Sequence, residues 1–162
     1  MQTLWAPWRM EFLEGEKPTE CVFCVAPKQN SKAWLVVHKQ STAFVILNKY
    51  PYNNGHLMIV PNRHVANLED LPEKEWDDLM RLTRKTSDIV KTCYRPDGLN
   101  IGMNVGTAAG AGIKDHVHVH IVPRWNGDTN FMPVLAETKA MPEHLQKSFE
   151  KLHPYFEDLG NI

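Results

Sequence analysis

Residues 116 to 122 read His-Val-His-Val-His-Ile-Val, a strict alternation of imidazole and aliphatic side chains. An extended strand turns that period of two into two faces, with His116, His118 and His120 on one side and Val117, Val119 and Ile121 on the other. Neighbouring histidines then stand roughly 6.5–7 Å apart along the chain. The aliphatic face has to be covered by a core. Packing rarely assembles three imidazoles on one strand face, because histidine is intermediate in burial and usually occurs singly. This face therefore reads as a chemical site. A His-x-His pair can chelate zinc with a third ligand and an open water position, and a histidine can equally act as nucleophile or acid–base group. The spacing leaves both uses open.

The rest of the chain supplies the layers that such a strand needs. Segments 34 to 39, 42 to 48 and 56 to 61 are rich in Val, Ile, Leu and Phe, and turn residues such as Pro51-Tyr52-Asn53-Asn54-Gly55 separate them, which predicts an antiparallel meander. From about Pro72 to Tyr94, the residues Trp76, Leu79, Met80, Thr83, Ser87, Val90 and Cys93 recur at spacings of three and four. That is the period of an amphipathic helix, ended by Arg95-Pro96-Asp97-Gly98. Cys93 belongs to its core side. A strand is expected from about Leu99 to Val105, then a small-residue loop from Gly106 to Gly112 feeding the histidine strand. After Pro142, the stripe Leu145, Phe149, Leu152 and Phe156 predicts a closing helix.

The expected fold class is thus α+β, a mainly antiparallel sheet with a long helix and a C-terminal helix. With 162 residues and neither repeat nor linker, one domain spanning residues 1–162 is the expectation. Residues 1–20, with Trp5, Pro7, Trp8 and Phe12, would form an arm packed on the body or on a neighbouring subunit, and residues 137–162 a C-terminal helical extension.

Eighteen Lys+Arg against nineteen Asp+Glu leave a formal charge of -1, which argues against a nucleic-acid partner and for a small molecule. The apolar runs are too short to span a bilayer, and the start lacks the basic segment and long apolar stretch of a secretory signal, so cytoplasmic residence is expected. There are three cysteines, an odd number, and Cys21-Val-Phe-Cys24 in a reducing compartment points to metal or redox chemistry more than to disulfides. The small-residue loop upstream of the histidines and the Pro123-Arg124 downstream both suit a phosphate-bearing ligand held by backbone donors and a cation.

On these residues the sequence resembles the histidine triad family of nucleotide hydrolases and transferases, whose His-φ-His-φ-His-φ-φ signature (φ, apolar) is matched by His116 to Val122. The resemblance extends through Phe44 to Asn48, Asn54 to Pro61 and Asn104-Val-Gly106. Pro123 to Pro133 and the Trp-rich start look like the branch that contains bacterial diadenosine tetraphosphate phosphorylases. The resemblance implies that His118 attacks the α-phosphorus to form a nucleotidyl-histidine, with a backbone carbonyl or similar acceptor fixing its tautomer. His120 would lie near the α-phosphate or leaving-group oxygen, and His56 would complete the polar cluster. It places Asn48 at the ribose and Phe23, Ile46 and Met58 at the nucleobase, although packing explains those three apolar residues almost equally well. Asn104 and the loop through Gly110, Ala111, Gly112 and Ile113 would hold the phosphates. The family's usual Gln four residues before the triad is Gly112 here, which shifts the expected donors to backbone N–H groups. Arg124 and Trp125 would either line the second nucleotide's path or cap the sheet edge.

Cys21, Cys24, His64 and His116 match positions that family members with this cysteine pair use as zinc ligands, so one structural zinc per chain is implied. The resemblance also implies a homodimer. The expected reaction is phosphorolysis of a dinucleoside polyphosphate, an adenine dinucleotide with inorganic phosphate as acceptor. Hydrolysis of such compounds or of nucleoside phosphoramidates, and a nucleotide-binding regulator without turnover, are the alternatives. Lys114 or Arg124 would supply charge for the acceptor phosphate.

Overall fold

The computed structural model of the protein describes residues 20–128 and 143–160. The Trp-rich arm before Glu20, the segment from 129 to Pro133 and the start of the C-terminal extension lie outside the described residues. Five strands form one antiparallel sheet in the order β1-β2-β3-β5-β4: β1 Val36–Lys39, β2 Ala43–Leu47, β3 Leu57–Pro61, β4 Gly98–Met103 and β5 Val119–Arg124. The meander expected at the start of the sheet is present, with Ile46 opposite Met58 and Val45 opposite Ile59.

The first face of the sheet is covered by two helices. Helix α2, Glu73–Tyr94, buries Leu79, Leu82, Thr83, Thr86, Ile89 and Val90. It starts after Pro72, carries Glu73 and Glu75 in its first turn, where carboxylates favour the positive end of the helix dipole, and ends as Arg95 turns left-handed at φ 48 before Pro96. Met80, expected on the apolar stripe, is instead exposed; the stripe runs through Leu79, Leu82 and Thr86. Cys93 is half-buried against the core as expected. Helix α3, Leu145–Glu157, buries Phe149, Leu152 and Phe156, as its stripe requires. Together with Val45, Leu47, Leu57, Ile59, Val119 and Ile121 they form the main core. Each fully buried Leu, Ile or Phe contributes about 1.5–3 kcal/mol.

The second face carries a smaller cluster, Phe23, Ala26, Val36, Phe44, Ile46, Met58 and Val60. Its lid is the short helix α1, Val22–Val25, followed by a 3-10 turn at Ala26–Lys28. The histidines open onto this side, because Met58 pairs with His120 across β3 and β5, and His120 with Gly102 across β5 and β4.

Several strand boundaries differ from expectation by two or three residues, and two of them shape the site. The histidine strand begins at Val119 and not at His116, because Val117 N–H donates to Val65 O at 2.8 Å and the His116 ring bonds Pro61 O at 2.8 Å. Those bonds draw residues 116–118 toward the segment after β3 before the ladder starts at Ile59 and Val119. Strand β4 stops at Met103 and not Val105, since Met103 pairs with Val119, the first residue of β5. The chain then turns through Gly106 at φ 79 into a 3-10 turn at Thr107–Ala109.

Candidate active site

The departure of residues 116–118 from the ladder splits the three histidines between two sites. Cys21 caps α1 and Cys24 lies within it, His64 lies in the segment after β3, and His116 precedes β5; their ligand atoms all lie within 4.8 Å of one another. Cys21 Sγ is 3.4 Å from His116 Nδ1, Cys24 Sγ is 3.7 Å from the same nitrogen, and Cys24 Sγ is 3.3 Å from His64 Nδ1. Sulfur and nitrogen ligands of a tetrahedral zinc stand about 3.5 Å apart, given bonds of about 2.3 and 2.0–2.1 Å, so the donor set fits that ion. The ring of His116 supplies a second sign of fit. Its Nε2–H donates to Pro61 O at 2.8 Å, leaving the Nδ1 lone pair toward the two sulfurs, an orientation that backbone carbonyls commonly impose on metal-binding histidines. Burial pulls the His116 pKa below its ordinary value, with the bond to Pro61 opposing, which favours the neutral ring that a metal needs. Burial raises the Cys24 pKa, with the neighbouring Cys21 adding to the effect; a bound cation would reverse this by favouring the thiolate.

His118 is not part of this cluster. Its Nδ1–H donates to the backbone carbonyl of His116 at 2.9 Å, so the neutral ring carries its lone pair on Nε2. The residue is only 4% exposed, and burial pulls its pKa down, opposed by the bond to His116. The ring is therefore held neutral with one nitrogen able to act as nucleophile. Phe23 from α1 meets it edge-on at 4.9 Å between ring centroids and meets His116 at 5.5 Å.

A third arrangement governs His120. The backbone N–H of Tyr52 can only donate, and it points at His56 Nδ1 at 3.0 Å. His56 must therefore carry its proton on Nε2, which lies 3.0 Å from His120 Nδ1. His120 accepts that proton at Nδ1, so the neutral ring bears its N–H at Nε2. The ring centroids of His118 and His120 are 4.7 Å apart, closer than the spacing along an extended chain. The cluster thus sets a lone pair on His118 beside a neighbouring ring that carries a proton. His56 is fully buried beside His120.

The other expected site residues are placed as follows. Phe23, Ile46 and Met58 share the second-face cluster at 2%, 5% and 7% exposure, with Ile113 half-buried against them. Asn48 follows β2 beside His56, and its Oδ1 accepts the Tyr50 N–H at 2.9 Å. Asn104 lines a groove of about 420 Å³ with Tyr52, Gly102, Met103 and His120. In the loop, two donors expected for phosphate are already engaged: Gly110 N–H bonds Thr107 O at 3.0 Å and Ala111 N–H bonds Gly106 O at 3.4 Å. Gly112 is exposed. Lys114 pairs with Asp115 at 2.8 Å on the surface.

Arg124 ends β5 and lines the same groove as Asn104 and His120, and Trp125 follows it. Arg124 makes a two-pronged pair with Asp128, Nε at 2.7 Å and Nη2 at 2.9 Å, and its Nη1 donates to Asn100 Oδ1 at 2.8 Å. Trp125 packs edge-on against Tyr94 at 6.3 Å. Sequence reasoning missed Tyr52, whose N–H sets the His56 tautomer, and Asn53, whose amide donates to Pro123 O at 3.0 Å and to Asp128 Oδ2 at 2.7 Å. The Arg124–Asp128 charge pair was visible in the chain; the contribution of a turn's backbone N–H was not.

Residues 29–127 match the family model described as HIT domain. A Mycobacterium tuberculosis protein named AP-4-A phosphorylase is 40% identical over 156 residues, covering 90% of this chain and 80% of its own length. The Schizosaccharomyces pombe bis(5'-nucleosyl)-tetraphosphatase [asymmetrical] is 39% identical over 90 residues, 56% of this chain and 48% of its own. Among solved structures, a hypothetical histidine triad nucleotide-binding protein from Sulfolobus tokodaii superposes with a TM-score of 0.68 at 26% identity, covering 86% of this chain and 93% of its own. A Zn-bound histidine triad family protein from Mycobacterium smegmatis gives a TM-score of 0.69 at 24% identity over 86% and 95%, a likeness of fold.

Proposed function

The chain belongs to the HIT domain family, and we propose that it is a nucleotidyl-transferring enzyme that uses His118 to cleave a dinucleoside polyphosphate, with inorganic phosphate as the acceptor. The observation that carries this reading is the His118 ring, buried and neutral, with Nδ1–H spent on the His116 carbonyl and Nε2 left with its lone pair. In the first step Nε2 attacks the α-phosphorus, the bond to the leaving polyphosphate oxygen breaks, and His120 Nε2–H donates toward that oxygen. In the second step an oxygen of phosphate attacks the same phosphorus and His118 leaves. Diadenosine tetraphosphate would thereby give ATP, then ADP. Asn48 would meet the ribose, and Ile46, Met58 and Phe23 would back the base.

Zinc on Cys21, Cys24, His64 and His116 would be structural, since all four tetrahedral positions come from the chain and no position is open for water. The identity to the AP-4-A phosphorylase supports phosphate as acceptor. One observation favours water instead: both cations expected to hold an acceptor phosphate are paired, Lys114 with Asp115 and Arg124 with Asp128. The proposed assembly is a homodimer in the cytoplasm. The open edge of β4, where Ile101 is 49% exposed, is the surface that supports a dimer, and no helix among the described residues is long and apolar enough to cross a membrane.

Incubation of diadenosine tetraphosphate with labelled phosphate tests the reading. Phosphate should accelerate the loss of substrate and label should appear in ADP. Turnover without label would assign the protein as a hydrolase through the same histidine, and absence of any turnover would leave a nucleotide-binding protein.

A further inference from the structure

Helix α3 lies beyond the residues that match the family model, yet a chain of contacts joins it to the histidine cluster through Tyr94. The Tyr94 hydroxyl donates to Glu143 Oε1 at 2.8 Å, and Ser148 Oγ donates to the same oxygen at 2.7 Å. Lys151 Nζ lies 3.6 Å from the other Glu143 oxygen and sits over the Tyr94 ring, 4.2 Å from its centroid. These groups grip the ring from α3 and from the residues before it, and Trp125 abuts it from the end of β5.

The ring also lies against Gly55. A Cβ there would come within 2.7 Å of Tyr94 Cε2 and 3.0 Å of Cδ2 and Cζ, so the ring occupies the space that any other residue would need. Gly55 also has φ +72, which glycine adopts without strain. The next residue is His56. Its ring receives the Tyr52 N–H from the same turn and donates to His120, and the His56 N–H bonds Asn53 O at 3.2 Å. The turn from Tyr52 to Gly55 is thus held at one end by Asn53 on Asp128 and at the other by Tyr94 on Gly55.

We infer that Tyr94 is a positioning residue: its ring, clamped by Glu143 and Lys151 and seated on Gly55, fixes the Tyr52–His56 turn, so that His56 sets His120 with its proton on Nε2. The docking of the start of α3 is thereby coupled to proton donation in the active site. This rests on the reading of His120 as the donor to the leaving oxygen. The Tyr94 hydroxyl, whose pKa burial pushes well above the ordinary tyrosine value, stays protonated and able to bond Glu143.

The test compares Tyr94→Leu, which removes the ring, with Tyr94→Phe, which keeps the ring on Gly55 and loses only the bond to Glu143. Two substrates separate positioning from general damage: the phenyl and p-nitrophenyl esters of AMP, of which only the phenyl ester has a leaving group poor enough to need a proton. Tyr94→Leu should lower kcat on the phenyl ester about tenfold or more, on the p-nitrophenyl ester less than about threefold, with KM little changed. Tyr94→Phe should stay within about threefold on both. Long-range proton–nitrogen correlation of the imidazoles should show His120 as the Nε2–H tautomer in the wild type and a mixture in Tyr94→Leu. Equal losses on both esters, or an unaltered His120 nitrogen pattern in Tyr94→Leu, would overturn the inference. If Tyr94→Leu does not fold, Gly55→Ala, which drives a methyl into the ring, is read in the same assays and must give the same ester-selective loss; equal losses overturn the inference there too. Should the wild type turn over neither the esters nor diadenosine tetraphosphate, the proposed reaction fails; with the esters silent, the nitrogen spectra still decide whether Tyr94 positions His120.

Discussion

The Nδ1–H of His118 donates to the backbone carbonyl of His116 at 2.9 Å, so a residue of the cysteine–histidine cluster also sets the tautomer of its neighbour two positions on. The ring of His116 belongs to the cysteine cluster and its carbonyl belongs to the histidine site.

Replacing His118 by Ala should abolish turnover of diadenosine tetraphosphate, with a loss of several orders of magnitude in rate, on the scale seen when a covalent catalyst is removed. Nucleotide binding should persist, because the wall of Ile46 and Met58 and the groove lined by Asn104 remain. Single-turnover kinetics beside calorimetric binding distinguishes the two; near-normal turnover would rule out a covalent path through this residue.

The purified protein is expected to carry about one zinc per chain. Changing Cys21 and Cys24 together to Ser should lower both the metal content and the melting temperature, because the four ligands come from three distant segments and the ion would tie them together. Elemental analysis alongside thermal melting checks this. Full metal content in the double variant would show that the ligand set is wrong.

Asp128 accepts both prongs of Arg124, the Asn53 amide and the Trp125 N–H. Asp128→Ala leaves the largely buried Asn53 with one partner fewer and should cost about 1–3 kcal/mol. Denaturant unfolding measures it. A change below about 0.5 kcal/mol, the usual range for surface substitutions, would mean that this network does not secure the turn.

His38 of β1 stacks on Phe156 of α3 at 5.8 Å, and Gln40 Nε2 lies 3.1 Å from its Nε2. Burial pulls its pKa below the ordinary 6.5, with the backbone bond to Phe156 opposing. The folded state therefore prefers the neutral ring. Its contribution is fully present above pH 6.5 and is lost as pH falls from there through the lower folded value, because the unfolded chain takes up the proton first. His38→Gln should flatten the fall in stability over that acid interval, read from denaturant midpoints at a series of pH values. An unchanged slope would remove His38 from the account.

Local periodicity in the chain already specified the α+β elements, the long helix, the apolar stripe of Phe149, Leu152 and Phe156, and which residue types would do chemistry. Those properties depend on neighbours within a turn or two, and period two or 3.6 expresses them directly. Even the four residues Cys21, Cys24, His64 and His116 could be named through the family resemblance. The division of labour among the histidines depends on contacts between distant segments. Residues 116 and 117 leave the strand because Pro61 O bonds the His116 ring and Val65 O the Val117 N–H, and His120 carries its proton on Nε2 because a backbone N–H at Tyr52 faces a ring that then faces another 64 residues away. That Arg124, expected either at the second nucleotide or at the sheet edge, is paired with Asp128 and Asn100 is visible only in the fold. Tyr94 looked like the last residue of a helix until Gly55 was found beneath its ring. Hydrogen-bond direction and steric fit across the fold are properties of three-dimensional proximity, which the order of residues alone does not display.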